Sequence, residues 1–212
     1  ILAAKGKSFS AGGDLGLMQR TADYSFDENL SDARDLAELM KTLNRLSKPT
    51  IGLIQGAAYG GGVGLTACCD IVIACEHARF CLSEVKLGLI ASVISPYVRA
   101  AIGESQARRY TVTAELFDAF EARRIGLVHE VVADDALEDQ AEHIVLQLLK
   151  NSPAAMAGVK ELLFSLSGSG IGDDVVEDTA ERIARIRASE EGKEGIAAFL
   201  EKRSPSWEKD QG

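Results

Sequence analysis

An α/β fold with crossover connections is what this sequence predicts, on two observations. A strand, a tight glycine loop, a small-residue helix and a further strand follow one another from Thr50 in roughly thirty residues, the spacing of a βαβ unit. The alternation then continues as helix, strand and helix, with no internal repeat.

Along the chain, residues 1–4 read as the end of a strand. They are followed by the small-residue loop Gly6-Lys-Ser-Phe-Ser-Ala-Gly-Gly-Asp14 and an apolar turn around Leu15, Leu17 and Met18. Residues 19–27 read as loop. From 28 to 46, Leu30, Ala33, Leu36, Ala37, Met40, Leu43 and Leu46 recur at three and four, an amphipathic helix that Lys48-Pro49 closes. Residues 50–54 form a buried strand. The glycine-rich stretch 56–64 leads into a helix of small residues over 65–69, then strands over 70–74 and 79–82, and later 127–132. Asp134-Asp135 is suited to cap a helix over 136–150, and Ser152-Pro153 opens the next with proline in its first turn. Gly168-Ser-Gly-Ile-Gly172 is a joint, and 173–201 reads as helical with an apolar stripe of Ile183, Ile186, Ile196, Phe199 and Leu200 that needs a partner surface. The expected organisation is a core over 1–133 and a helical region over 134–212.

At 46% hydrophobic and 26% charged, 212 residues suffice for a buried core, which excludes a disordered or disulfide-stapled chain. Lys+Arg 23 against Asp+Glu 32 leaves a net charge of −9, with no electrostatic footprint for nucleic acid or anionic lipid. No apolar run approaches the ~20 residues of a membrane helix. A soluble cytoplasmic protein is expected, with neither nucleic acid nor membrane as partner. Cys68, Cys69, Cys75 and Cys81 contain no C-x-x-C pair and read as reduced core residues. His77, His129 and His143 stand singly among polar neighbours, so no metal site is expected. Ile1 opens without Met on an apolar run, as a strand entered halfway along would, and an N-terminal segment, with or without a targeting peptide, is expected to precede it.

The chemistry points to the two glycine loops. The run Gly60-Gly-Gly-Val-Gly64 at a strand-to-helix transition permits close backbone approach, and N–H groups at a helix start can hold an anion or oxyanion. The same glycines would also serve a helix packed tightly on a sheet. Gly62 to Ala67 satisfies G-x-G-x-x-A, but six residues separate the strand from that fingerprint where a dinucleotide-binding turn is tight, and Glu84 follows a second strand. The loop Ser10-Ala-Gly-Gly-Asp14 also follows a strand, so N–H groups from two strand-end loops could converge as an oxyanion hole, each donor worth roughly 3 kcal/mol of barrier. Ser83-Glu84-Val85-Lys86-Leu87-Gly88-Leu89 offers the acid or base. Glu84 is either desolvated there, with a raised pKa, or a surface residue that is solvated or paired with Lys86.

These pieces, in this order, resemble the enoyl-CoA hydratase/isomerase (crotonase) superfamily. Residues 6–15 look like its first loop, 56–70 like its second and 78–89 like its catalytic-glutamate segment, with further matches over 124–132 and 195–203. The resemblance covers nearly the whole chain and implies a ββα superhelix with a C-terminal helical trimerisation region, and further strands before Ile1. It implies that the N–H groups of Gly13 and Gly61 polarise an acyl-CoA thioester carbonyl and that Glu84 is the general acid/base. Ala11, Asp14, Leu15 and Gly60 would border the coenzyme A path. Phe199 and Lys202 match positions where a neighbouring subunit of a homotrimer, or of a dimer of trimers, touches the nucleotide end. No cofactor is implied, coenzyme A being part of the substrate. Lys5, Lys7 and Lys202, with helix N-termini, would have to hold the polyanion against the global charge.

Two departures qualify the reading. The first glutamate of two-glutamate hydratases falls here on Gly64, so Glu84 alone must act, as in single-acid isomerases and the feruloyl-CoA hydratase-lyase branch. Ala91-Ser92 stands where Pro-Gly is common. Ile94-Ser-Pro-Tyr-Val98 with Gly62-Val-Gly64 looks like a bacterial subset of methylglutaconyl-CoA or isohexenylglutaconyl-CoA hydratases, whose substrates carry a second carboxylate for which Arg99 is a candidate partner. The expected activity is hydration of a 2-enoyl-CoA. The alternatives are a single-glutamate enoyl-CoA isomerase and a non-catalytic acyl-CoA-binding paralogue.

Overall fold

The computed structural model describes residues 1–21 and 23–208, the side chains of Leu15 and Leu17 excepted. The chain divides into two units, residues 1–46 with 50–141, and 47–49 with 142–212.

In the first unit, α1 (Leu15–Thr21) and α2 (Phe26–Asn44) precede β1 (Ile51–Ile54), β2 (Ala57–Tyr59) and α3 (Gly61–Cys68). A second strand–strand–helix turn follows as β3 (Ile71–Cys75), β4 (Arg79–Cys81) and α4 (Ser95–Thr113), and then come β5 (Phe117–Asp118), α5 (Ala119–Arg124) and β6 (Glu130–Val132). Successive strands go to different sheets. One sheet has the order β1-β3-β6, all parallel, and the other β2-β4-β5, with β5 antiparallel to β4. Each strand–strand–helix turn thus adds one strand to both sheets.

Local chemistry explains the elements. Ser25 and Glu28 form a reciprocal capping box at the start of α2, Ser25 N–H donating to the Glu28 carboxylate at 2.8 Å. Asp70 accepts from Thr50 N–H at 2.7 Å and from its hydroxyl at 2.8 Å, which aligns the entries of β1 and β3 and sets Ile51 opposite Ile71. All four residues of β1 are buried, as a parallel strand covered on both faces requires. Phe80 stacks on Phe117 with ring centroids 5.5 Å apart, and Tyr110, wholly buried, packs on Phe117 while its hydroxyl donates to Glu121 at 2.5 Å. The four cysteines are buried, and His129 accepts from Val72 N–H at 2.9 Å.

Three expectations change. Residues 19–27 are not one loop: α1 runs to Thr21, and α2 begins at Phe26 because the capping box starts it there. The glycine-rich stretch is not a plain connection: it contains β2, whose small residues give no propensity signal but pair with Arg79, Phe80 and Cys81. Its helix starts at Gly61 and not at Leu65, inside the glycine run.

α6 (Leu137–Leu148) begins in the first unit and ends in the second, where α7 (Pro153–Ser165), α8 (Asp173–Ala188) and α9 (Glu190–Glu201) follow. The helical stretch over 173–201 is therefore two helices. Ser189 is extended and caps α9 by accepting from Gly192 N–H at 3.1 Å, and a Cβ at Gly192 would fall 2.0 Å from the Ile186 carbonyl, so the break is tight and needs glycine. Ser152 caps α7 by accepting from Ala155 N–H at 3.0 Å and donates to Glu191 at 2.5 Å. Ser152→Ala removes both, and a loss of about 1–2 kcal/mol is expected, read as a lower urea midpoint at unchanged m-value.

Candidate active site

The site is built where the two glycine loops leave their strands. Ser10 forms a parallel bridge with Ala58: its N–H donates to Ala57 O at 2.9 Å, and its carbonyl accepts from Tyr59 N–H at 2.8 Å. That register starts both loops side by side, so Gly13 and Gly61 each stand three residues beyond a bridged partner. The contact continues into α3, since a Cβ on Gly62 would lie 2.8 Å from the Ser10 Cβ. Glycine at 62 is what lets the first loop approach the helix start.

Gly60 makes the corner between β2 and α3, with φ 52 and ψ −117, a conformation that glycine alone adopts without strain. Its own N–H is taken by Cys81 O at 2.9 Å, so it is a structural donor and not a free one. Gly61 and Gly62 open the helix, and their N–H groups make no hydrogen bond among the described residues. In front of Gly61 a Cβ would meet nothing within 4 Å. An N–H in the first turn of a helix without an intrahelical partner is a ready site for a partly negative oxygen. On the other loop Ala11, Gly12, Gly13 and Asp14 are exposed, and the Asp14 carbonyl accepts from Met18 N–H at 2.8 Å at the start of α1.

Glu84 opens a short 3-10 turn just past β4, Glu84–Leu87, which Gly88 closes in the left-handed region at φ 72. The turn brings the carboxyl back over the glycine corner: a Cβ on Gly60 would lie 3.1 Å from Glu84 Oε1. The side chain is half-buried, and Oε2 is fully buried with no hydrogen-bond partner among the described residues. Burial therefore raises the Glu84 pKa above its ordinary value, its own backbone N–H pulling weakly the other way. Of the two placements open from the sequence, the desolvated one holds; Lys86 makes no ion pair with it among the described residues. Around the turn Val85, Leu87, Leu89 and Ile90 are exposed apolar groups, an edge suited to an acyl chain.

Gly64 lies one helical turn past Gly60 and is buried. A Cβ there would fall 2.2 Å from Ile94 Cγ2, 2.7 Å from Ile94 Cβ and 3.3 Å from Met40 Cε. Ile94 thus occupies the space of any side chain at 64. Ile94 was legible only as part of a sequence pattern, because its approach to α3 is long-range. Arg99 lies on α4 in an exposed ion pair with Glu104 at 3.5 Å. Phe199, 82% exposed, and Lys202, which ends α9 at φ 56, belong to the second unit. The Leu15 side chain lies outside the described residues. No described helix is long and apolar enough to cross a membrane.

A two-sheet α/β frame that presents helix-start N–H groups beside a desolvated carboxyl defines a protein fitted to polarise a carbonyl and move a proton next to it. The chain belongs to the enoyl-CoA hydratase/isomerase family, whose profile matches residues 1–211. The fold is that of an enoyl-CoA hydratase from Shewanella pealeana, with TM-score 0.94 and 55% identity over 97% of this chain and 77% of that one. Pseudomonas aeruginosa AtuE is similar at TM-score 0.90 and 38% identity, over 95% of this chain and 78% of that one. An Escherichia coli 2,3-dehydroadipyl-CoA hydratase is 30% identical over 209 residues, 98% of this chain and 79% of that one.

Proposed function

We propose that the protein hydrates the double bond of a 2-enoyl-CoA thioester, with Glu84 as its single acid/base and the N–H groups of Gly13 and Gly61 as the oxyanion hole. The observation that carries this is the Glu84 carboxyl, half-buried and held over the start of α3, where among the described residues neither its Oε2 nor the Gly61 N–H has a hydrogen-bond partner. The thioester oxygen accepts from Gly13 and Gly61, which stabilises the enolate formed as water adds to the β-carbon. Glu84 takes the proton from that water and returns one to the α-carbon. Two such donors lower the barrier by several kcal/mol, at roughly 3 kcal/mol each.

Ala11, Asp14, Leu15 and Gly60 border the coenzyme A path, and Phe199 and Lys202 serve the nucleotide end from a neighbouring copy in a homotrimer or a dimer of trimers. The exposed Phe199 supports that assembly, which light scattering measures. The protein acts in the cytoplasm and without a cofactor beyond the substrate's own coenzyme A. The dehydroadipyl substrate named for one relative supports an acyl group ending in a second carboxylate, as in 3-methylglutaconyl-CoA.

The Gly64–Ile94 contact favours one second reading, isomerisation, because proton shuttling needs only one carboxylate. Incubation with crotonyl-CoA and 3-methylglutaconyl-CoA in water labelled with heavy oxygen separates the readings. Hydration bleaches the conjugated-thioester absorbance and leaves label in the product. A shifted double bond without label identifies the isomerase, and calorimetric binding of the esters without turnover identifies a non-catalytic paralogue.

A further inference from the structure

The parallel pair β3–β6 ends in a second constellation, of residues the candidate active site does not use. Cys75 is registered opposite Val132, and Glu76 N–H donates to Val132 O at 3.0 Å, so the chains leave the two strands side by side. Two residues further on each lie His77, in a turn closed by Ala78 N–H to Cys75 O at 2.9 Å, and Asp134, at the start of a 3-10 turn. His77 Nδ1 and the Asp134 carboxylate are hydrogen-bonded to one another, and the buried Cys75 Sγ lies beneath them, 4.0 Å from the Asp134 carbonyl. The sulfur, an imidazole nitrogen and a carboxylate oxygen all fall within 4.8 Å of one another. They line a cleft of about 500 Å³ at the carboxyl ends of the strands, with Asp135, Glu138 and Asp139 also on its wall. Carboxyl ends of parallel strands are where α/β folds bind ligands.

We propose that Cys75, His77 and Asp134 form a binding site for a divalent cation of the zinc class. One sulfur, one nitrogen and one oxygen donor is a set that a borderline-soft ion takes and that magnesium or calcium does not. Four-coordinate zinc, with bonds of about 2.0–2.3 Å, sets its ligand atoms about 3.3–3.8 Å apart, so the hydrogen-bonded His77 and Asp134 groups must part while the sulfur comes within the same range of both, a rearrangement that rotation of the half-exposed His77 and Asp134 side chains supplies. The ion takes the place of the hydrogen between His77 and Asp134 and of the Cys75 thiol proton, and the displaced protons go to solvent. Three protein ligands leave a fourth position open to the cleft, so water or a small anionic ligand completes the shell. The sequence hides this site because its donors come from two strands 57 residues apart, with no ligand spacing to read.

The test is titration of the 212-residue chain, stripped with chelator, with zinc in a calorimeter and with cobalt(II) in a spectrophotometer. One ion per chain is expected, with a thiolate-to-cobalt charge-transfer band and the intense visible absorption of four-coordinate cobalt. Cys75→Ala abolishes the charge-transfer band, and His77→Ala, at a half-exposed turn position that leaves the fold intact, weakens binding at least tenfold. Because Cys75 is buried, circular dichroism checks that its variant is folded, and Asp134→Asn supplies a second surface variant expected to weaken binding. Absence of saturable one-to-one binding, absence of the charge-transfer band, or binding undiminished in both His77→Ala and Asp134→Asn overturns the site.

Discussion

Glu84→Gln is expected to lower kcat for enoyl-CoA hydration by about 10²–10⁴-fold, the usual contribution of a positioned acid/base, while the affinity for the thioester changes little. Glutamine keeps the shape and the contact with the Gly60 corner but cannot carry the proton. The same variant is expected to be more stable than the parent at neutral pH. Burial raises the folded-state pKa of Glu84, so the folded protein binds more protons than the unfolded chain between the two pKa values. Stability contributed by this group therefore falls as pH rises through that window, and the full cost of the buried charge is present above it. Thermal midpoints of Glu84→Gln and the parent should converge as pH falls through the ordinary carboxylate range and separate above it. The raised pKa also moves the acid limb of the kcat/KM profile above the range of an exposed carboxylate. A variant with unchanged turnover would remove Glu84 from the mechanism, and one less stable at neutral pH would show that the orphaned oxygen has a partner in solution.

Gly64→Ala is expected to destabilise the first unit by about 1–3 kcal/mol, as overpacking of a filled core does. The new methyl would fall 2.2 Å from Ile94 Cγ2 and 2.7 Å from its Cβ, and α3 has buried neighbours on that face. For a chain of this size that is a drop of about 2–12 °C in Tm. In an Ile94→Ala background the nearer contact is gone and the Cβ contact at 2.7 Å remains, so the cost of Gly64→Ala should shrink without vanishing. Strict additivity in this double-mutant cycle would contradict the steric account. Gly64→Glu follows the same logic: a second carboxylate cannot be added unless Ile94 is also reduced. The lack of a carboxylate at position 64 is thus a packing fact as well as a sequence fact.

The contrast between these two positions shows how far the sequence reaches. Glu84, the glycine run and the Ser10–Asp14 loop were legible because their chemistry is local: a carboxylate after a strand, and glycines at a strand-to-helix corner. The strand over 51–54 was legible from its unbroken apolar run, and α7 from Ser152-Pro153. β2 was not, since Ala57 and Ala58 owe their strand conformation to the pairing with β4. Nor was the break at Ser189 read, although Ser189 and Gly192 carry its cap and its tight turn.

By itself the sequence determined the class of fold, the family, the loops and the one carboxylate, because period, turn chemistry and motif order are properties of neighbouring residues. The tertiary structure alone decided that Glu84 is desolvated over the Gly60 corner, that Ile94 fills the space beside Gly64 and that Cys75, His77 and Asp134 meet. Each of these is a contact between segments far apart in the chain, fixed by parallel-strand register and by how closely a glycine lets two backbones approach, and neither quantity is written in any local stretch of residues.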